Sequence, residues 1–264
     1  MASRLTLRFA ALGYLAAILL APVAVVLYKT FEPGIGAVWA SITTPAAIHA
    51  FWLTVEVAAI AVPLNTVFGI VAALLLVRGR FRGKRMLEAL IDLPFAVSPV
   101  VVGLALFLLY GRQGWLGPTL TDAGIQIIFS VPGIALATIF VCLPFVVREV
   151  APVLREIGDE QEQAAATLGA SRWQAFWRVT LPAIRWGVIY GVVLSTARAI
   201  GEFGAVSVVS GKIAGQTETL TLLVEKRFTN FDLAGAYAAS ALLAVIALAT
   251  LGAMTLINRR GAAR

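Results

Sequence analysis

The sequence predicts an all-α membrane protein with six transmembrane helices, and three observations predict it. Hydrophobic residues make up 60% of the 264, charged residues only 13%, and the mean hydropathy is +0.90, outside the range of soluble domains. The apolar residues gather in runs long enough, as helix, to cross roughly 30 Å of hydrocarbon. The basic residues lie between those runs rather than in one patch, so the net charge of +7 reflects membrane topology and not nucleic-acid binding.

The expected spans cover about 9–27, 51–77, 87–110, 127–147, 186–210 and 234–257, in a single transmembrane domain of residues 1–264. Arg4 and Arg8 precede the first run. It continues through Pro22 to Leu27 without a clear cleavage site, so it reads as a retained span and not a signal peptide. Residues 28–50, with Pro33, Gly34, Gly36 and Pro45, read as a loop with room for a short turn. Pro63 and Asn65 interrupt the second span. Asp92, Pro94 and Pro99 lie in the third, where proline is expected to kink the helix. Residues 111–125 and residues 216–233 also read as loops.

Several chemistries are excluded. Arg78 to Arg85 holds five basic residues and two glycines, superficially like a phosphate-binding loop. Only three residues separate Gly79 from Gly83, however, and Arg85 stands where Ser or Thr is needed. The single cysteine, Cys142, cannot form an intrachain disulfide, and His49 has no second histidine to share a metal. A membrane-embedded enzyme lacks its constellation, since Glu56 and Asp92 fall near opposite ends of their spans.

One long stretch, residues 148–185, is not membrane-like, and it carries two helix signals. Glu160 to Leu168 is rich in Glu, Gln, Ala and Leu, all good helix formers. Gly169 stands where a left-handed cap would end that helix. Ser171 can cap a second helix from Arg172 to about Val179, and Leu181-Pro182 is expected to stop it. Helix, hinge, short helix, stop: the pattern is that of a docking element.

These residues resemble the cytoplasmic EAA loop of permease subunits in ATP-binding-cassette importers. Ala164, Ala165, Gly169, Val179, Leu181 and Pro182 fall in the family's register. One position departs: the family's glutamate aligns with Gln163, and a carboxylate lies one residue earlier at Glu162. The resemblance implies that Glu162, Gln163, Ala164, Ala165, Gly169, Ala170, Ser171, Arg172, Trp173, Leu181 and Pro182 belong to an ATPase-coupling loop. Gly169 would be its hinge, and Ala170 to Val179 the docking surface.

Charge gives an orientation independent of that likeness. Fifteen basic residues fall on the side of the docking segment and both termini, and five on the other, with Arg198 within a span. The positive-inside rule then expects both termini and the docking loop in the cytoplasm.

Arg198 and Glu202 are four apart in the fifth span and can approach each other on one helix face. Charges at membrane depth are expensive. Two roles stay open for them: a cation beside an anion pathway, or a structural ion pair. Gly187, Gly191, Ser195 and Ala199 repeat every four residues and would let another helix approach closely.

Ala197 to Gly211, with its Arg-Ala-Ile-Gly-Glu-Phe-Gly run, and Thr219 to Glu225 look like the oxyanion branch of that permease family. The likeness is greatest to the W-type subunit of the sulfate/thiosulfate permease. It implies a type I importer permease fold in the bacterial inner membrane and a non-catalytic subunit. The partners it implies are a second related permease, a dimer of ATP-binding subunits and an extracytoplasmic sulfate-binding protein. ATP and Mg would then bind on the partners, with no cofactor on this chain and no nucleic acid. A molybdate or tungstate permease is the nearest alternative; a passive anion channel or secondary carrier, and the membrane enzyme, are more distant.

Overall fold

A computed structural model describes residues 2–262, and among them the secondary structure is helical throughout. Arg264, counted in the charge tally, lies outside the described residues. In chain order the helices are α1 (Ala2–Phe31), α2 (Ile35–Ile42), α3 (Pro45–Arg78), α4 (Lys84–Ala96), α5 (Pro99–Tyr110), α6 (Gly117–Asp122) and α7 (Val131–Glu156). They continue with α8 (Glu160–Thr167), α9 (Arg172–Ala175), a π-helical turn (Phe176–Thr180), α10 (Leu181–Ile200), α11 (Gly204–Val209), α12 (Leu220–Thr229) and α13 (Leu233–Ala262).

Five of these helical stretches are long and apolar enough to cross a membrane, and α4 with α5 makes a sixth when the bent pair is counted as one span. That pair corrects the continuous third span. The two helices meet at 109°. The break falls at Val97 and Ser98, both with extended ψ near 135°, immediately before Pro99 opens α5. Proline disfavours helical backbone at the residue before it, and Ser98 takes the extended alternative, whereas Pro94 is accommodated inside α4 without a break.

The core is a three-helix stack. α3 and α7 run in the same direction. Leu53 and Val57 cluster with Ile134, Ala137 and Val141 near one end, and Ala72, Ala73 and Leu76 cluster with Val146, Val150 and Leu154 near the other. α10 runs back between them, with Ile184 in the second cluster and Ala199 beside Cys142, Ala58 and Val62. The small-residue stripe of α10 makes this approach possible. Gly187, Gly191, Ser195 and Ala199 are all buried. A Cβ on Gly191 would stand 2.8 Å from the Val146 Cα, and one on Gly187 would stand 2.9 Å from the Glu149 carbonyl oxygen. Gly69 of α3 is as tight, with its would-be Cβ 2.5 Å from the Val146 side chain. One polar cross-link reinforces the stack: the buried Asn65 Nδ2 donates to the Ile139 carbonyl at 3.1 Å.

α4 is held to α7 by ion pairs. The Arg148 Nη2 lies 2.7 Å from Asp92 Oδ2, its Nε donates to Oδ1 at 3.0 Å, and Arg155 reaches Glu88 at 3.7 Å. Arg148 therefore belongs to α7, which continues to Glu156; the expected polar segment from residue 148 is partly transmembrane-helix continuation. α5 and α11 back each other through glycine, since a Cβ on Gly103 would meet the Ala205 carbonyl at 2.7 Å. The three expected loops each contain helix: α2 in residues 28–50, where α1 also runs on to Phe31 and α3 already begins at Pro45, α6 in residues 111–125 and α12 in residues 216–233.

The stripe gives a direct test. Gly191→Val forces a Cβ against backbone, which cannot yield, and is expected to cost about 1–3 kcal/mol. A lowered melting temperature and abundance of the purified protein would register this, with Gly252→Val, which meets nothing within 4 Å, unchanged.

Candidate functional site

The two helices of the docking element are built by local chemistry. At the end of α8 the Gly169 N–H donates to Ala166 O and the Ala170 N–H to Ala165 O, both at 3.0 Å. This is the paired closure of a Schellman cap. It requires the left-handed backbone that Gly169 adopts, with φ +84°. Ser171 then starts α9 with a reciprocal box: its Oγ accepts from the Gln174 N–H at 3.3 Å, and Gln174 Oε1 accepts from the Ser171 N–H at 2.9 Å. Gln174 was not singled out from the sequence, although a Gln three residues after a capping Ser is the signature of this box.

Leu181-Pro182 does not stop the second helix. The chain stays helical from Arg172 to Ile200. Through Phe176–Thr180 the helix widens to a π turn, and the Leu181 N–H donates to Phe176 O, five residues back. Pro182, which has no N–H to give, then falls in the first turn of α10, where proline is tolerated.

The surface this element presents is apolar and aromatic. Leu168 is 88% exposed, Trp173 69% and Trp177 50%. Trp173, Phe176 and Trp177 form a cluster with ring centroids 5.4–6.0 Å apart. Gln163, Ala164, Ser171, Arg172 and Pro182 are exposed beside them, while Ala165, Ala170 and Leu181 are half-buried.

Glu162 faces the other way. Its Oε1 accepts from the buried Thr180 hydroxyl at 2.8 Å, and its Oε2 lies 3.3 Å from Arg78 Nε. Arg78, the last residue of α3, also donates Nη1 to Leu154 O at 3.3 Å and Nη2 to Gly158 O, spanning the end of α7. Neither Arg78 nor Thr180 stood out in the sequence. Arg78 is one of five basic residues in its cluster, and Thr180 occupies the unrestricted position before Leu181-Pro182.

Arg198 and Glu202 form a separate site, roughly 27 Å from Thr180 at the ordinary helical rise. Arg198 Nη1 stands 2.5 Å from Glu202 Oε2. The two do not share a helix face, because α10 ends at Ile200 and Glu202 lies in the turn beyond Gly201. The Glu202 carboxylate is buried. Its Oε1 accepts from the Ala205 N–H at 2.8 Å and caps α11, while its carbonyl accepts from the Thr221 hydroxyl of α12 at 2.8 Å. The pair thus sits where α10, α11 and α12 join. Among the described residues no group of three or more His, Cys, Asp or Glu side chains could hold a metal ion.

The long apolar helices, with a two-helix segment between α7 and α10 at one end, fit a transporter permease of the ATP-binding-cassette importer type, and the family match gives that class. The chain belongs to the family of binding-protein-dependent transport system inner membrane components, which residues 65–262 match. It is 52% identical over 95% of its length to the sulfate transport system permease protein CysW of Synechocystis sp., covering 91% of that protein. To CysW of Escherichia coli it is 50% identical, over 92% of this chain and 84% of that one. To the sulfate permease protein CysT of Escherichia coli it is 42% identical, over 91% and 86%. In fold it is similar to a bacterial ABC transporter that imports the acidic polysaccharide alginate, with a TM-score of 0.79 over 97% of this chain and 94% of that one at 16% identity.

Two outcomes are expected from the site geometry. Gly169→Val has open space around it, so its whole penalty is the left-handed backbone; it should misdirect α9 and lower the melting temperature, while Gly169→Asn, which tolerates that backbone, stays close to wild type. Arg198→Gln leaves a buried carboxylate without its cation and should destabilise the protein by about 1–3 kcal/mol, read as a lowered melting temperature. Glu202→Gln should be milder, since its amide oxygen can still accept from Ala205.

Proposed function

We propose that this chain is the W-type permease subunit of an ATP-driven importer of sulfate and thiosulfate. The observation that carries the substrate is the 50–52% identity to CysW proteins over nearly the whole chain, against 42% to CysT. That gap also favours pairing with a second, T-type permease over a homodimer, and sulfate over molybdate or tungstate. The bundle would form half of the translocation pathway in the bacterial inner membrane, with the six spans crossing it and both termini cytoplasmic, as the asymmetry of basic residues supports.

Coupling follows from the exposed arm. Leu168, Trp173 and Trp177 are large apolar side chains held in water by rigid caps, the arrangement of a surface that a partner covers. The partner is a dimer of ATP-binding subunits, which carries ATP and Mg and does the hydrolysis. Closure of that dimer moves α8 and α9, and α10 carries the movement into the bundle. An extracytoplasmic sulfate-binding protein delivers the anion to the opposite face; one solved neighbour in fold is a transporter complexed with its periplasmic protein. Arg198 and Glu202, already paired, act by fixing the α10–α11–α12 junction.

Uptake of labelled sulfate into vesicles holding this chain, a T-type partner, the ATPase and the binding protein is the test. The expected result is uptake that requires ATP and this chain and that resists low molybdate. Molybdate uptake without the second permease would move the chain to the sister branch, and flux without ATP would make it a passive carrier.

A further inference from the structure

The carboxylate of the coupling arm is turned inward, and the residue in the family's glutamate position is neutral and exposed. Glu162 is 26% and Arg78 23% exposed at the side chain, and Thr180 is buried. Around these three side chains four separate pieces of chain converge. Arg78 ends α3; Leu154 and Gly158 belong to the last turn of α7 and the bend after it; Glu162 is on α8; Thr180 closes the π turn that feeds α10. Gly158 holds that bend with φ +62°.

This joint is the only polar connection that the described residues make between α8 and the bundle. The rest of α8 is exposed or half-buried, and it has no fully buried residue. α8 therefore lacks an apolar face that could carry force by packing. α9 passes through the π turn into α10 as one continuous helix, so α10 follows the arm directly; a displacement of α8 reaches α3 and α7 through Arg78, and the π turn through Thr180.

We infer that Arg78, Glu162 and Thr180 are the positioning residues that transmit movement of the coupling arm into the transmembrane helices, and that Glu162 serves this joint rather than an ion pair to the ATPase. The inference rests on the reading of the chain as an importer subunit. The guanidinium matters for its fork: Arg78 reaches two carbonyls and one carboxylate at once, which the single ammonium of lysine does not reproduce. Glu162 matters for its charge and its two oxygens, one for each partner. Gln163, exposed one residue later, is neutral and cannot supply the carboxylate of an ion pair to the ATPase.

The test uses the assembled complex of both permeases, ATPase and binding protein in vesicles, with Glu162→Gln, Arg78→Lys and, as a control, Glu156→Gln. ATP hydrolysed and labelled sulfate moved are measured together, and their ratio is the readout. Glu162→Gln and Arg78→Lys are expected to assemble and hydrolyse ATP while moving several-fold less sulfate per ATP. Glu156→Gln, which removes an exposed carboxylate at the end of α7 outside the joint, should leave the ratio unchanged. A ratio equal to wild type, with both rates falling only in proportion to the complex assembled, would overturn the inference and leave the joint as a folding contact. Amide exchange over residues 160–168 gives a second readout that does not depend on transport. Glu162→Gln should speed it on the order of tenfold as α8 loses its tether, and unchanged exchange would also overturn the inference. Faster exchange in Glu162→Gln together with a wild-type complex that moves no sulfate would count against the importer reading and not against the joint.

Discussion

The close approach of α10 to α7 sets the geometry of everything else in this chain. Two helices whose backbones come within reach of each other's Cα atoms must have glycine at the crossing, and Gly187 and Gly191 supply it. Without a hydrophobic driving force between helices in lipid, such contact replaces burial from water as the source of cohesion. α3 joins the same seam at Gly69, so Val146 is gripped from two sides. Once that stack exists, the ends of α3, α7 and α10 arrive together at one face. Only there can a loop from α7 to α10 touch all three.

The two charged sites solve different problems at the two ends of α10. At one end, Arg198 and Glu202 hold a turn: the carboxylate caps α11 and its backbone carbonyl ties α12. A buried carboxylate is tolerable because its cation is adjacent and its second oxygen receives a backbone donor. At the other end, Glu162 and Arg78 tie α8 to the ends of α3 and α7. Surface ion pairs contribute little. This one is partly withdrawn from water, and its energy matters less than its connectivity.

Much of this could be read from the residues themselves, and the exceptions have physical causes. The apolar runs, the cap at Gly169 and the cap at Ser171 depend on local chemistry, which the sequence states directly. The stripe on α10 was visible as a period of four. The break at Pro99 and the continuation through Pro182 were harder, because proline can break a helix, kink it or begin it, and the outcome depends on what satisfies the neighbouring carbonyls. Pro94 continues α4, Pro99 begins α5, and Pro182 follows a π turn. The arm's inward contacts were not legible at all. Arg78 and Thr180 are brought to Glu162 by folding from positions far apart in the chain, and nothing local marks either.

The π turn at Phe176–Thr180 has a consequence for how this element is phased. A helix that takes one extra residue in a turn rotates everything before it by about 100° relative to everything after it. The aromatic face of Trp173 and Trp177 is therefore not locked to the glycine seam by ordinary helical periodicity. Its direction is an independent variable, set by a single inserted residue. Two surfaces on one continuous helix are thus phased separately, the aromatic cluster at one end and the glycine seam at the other.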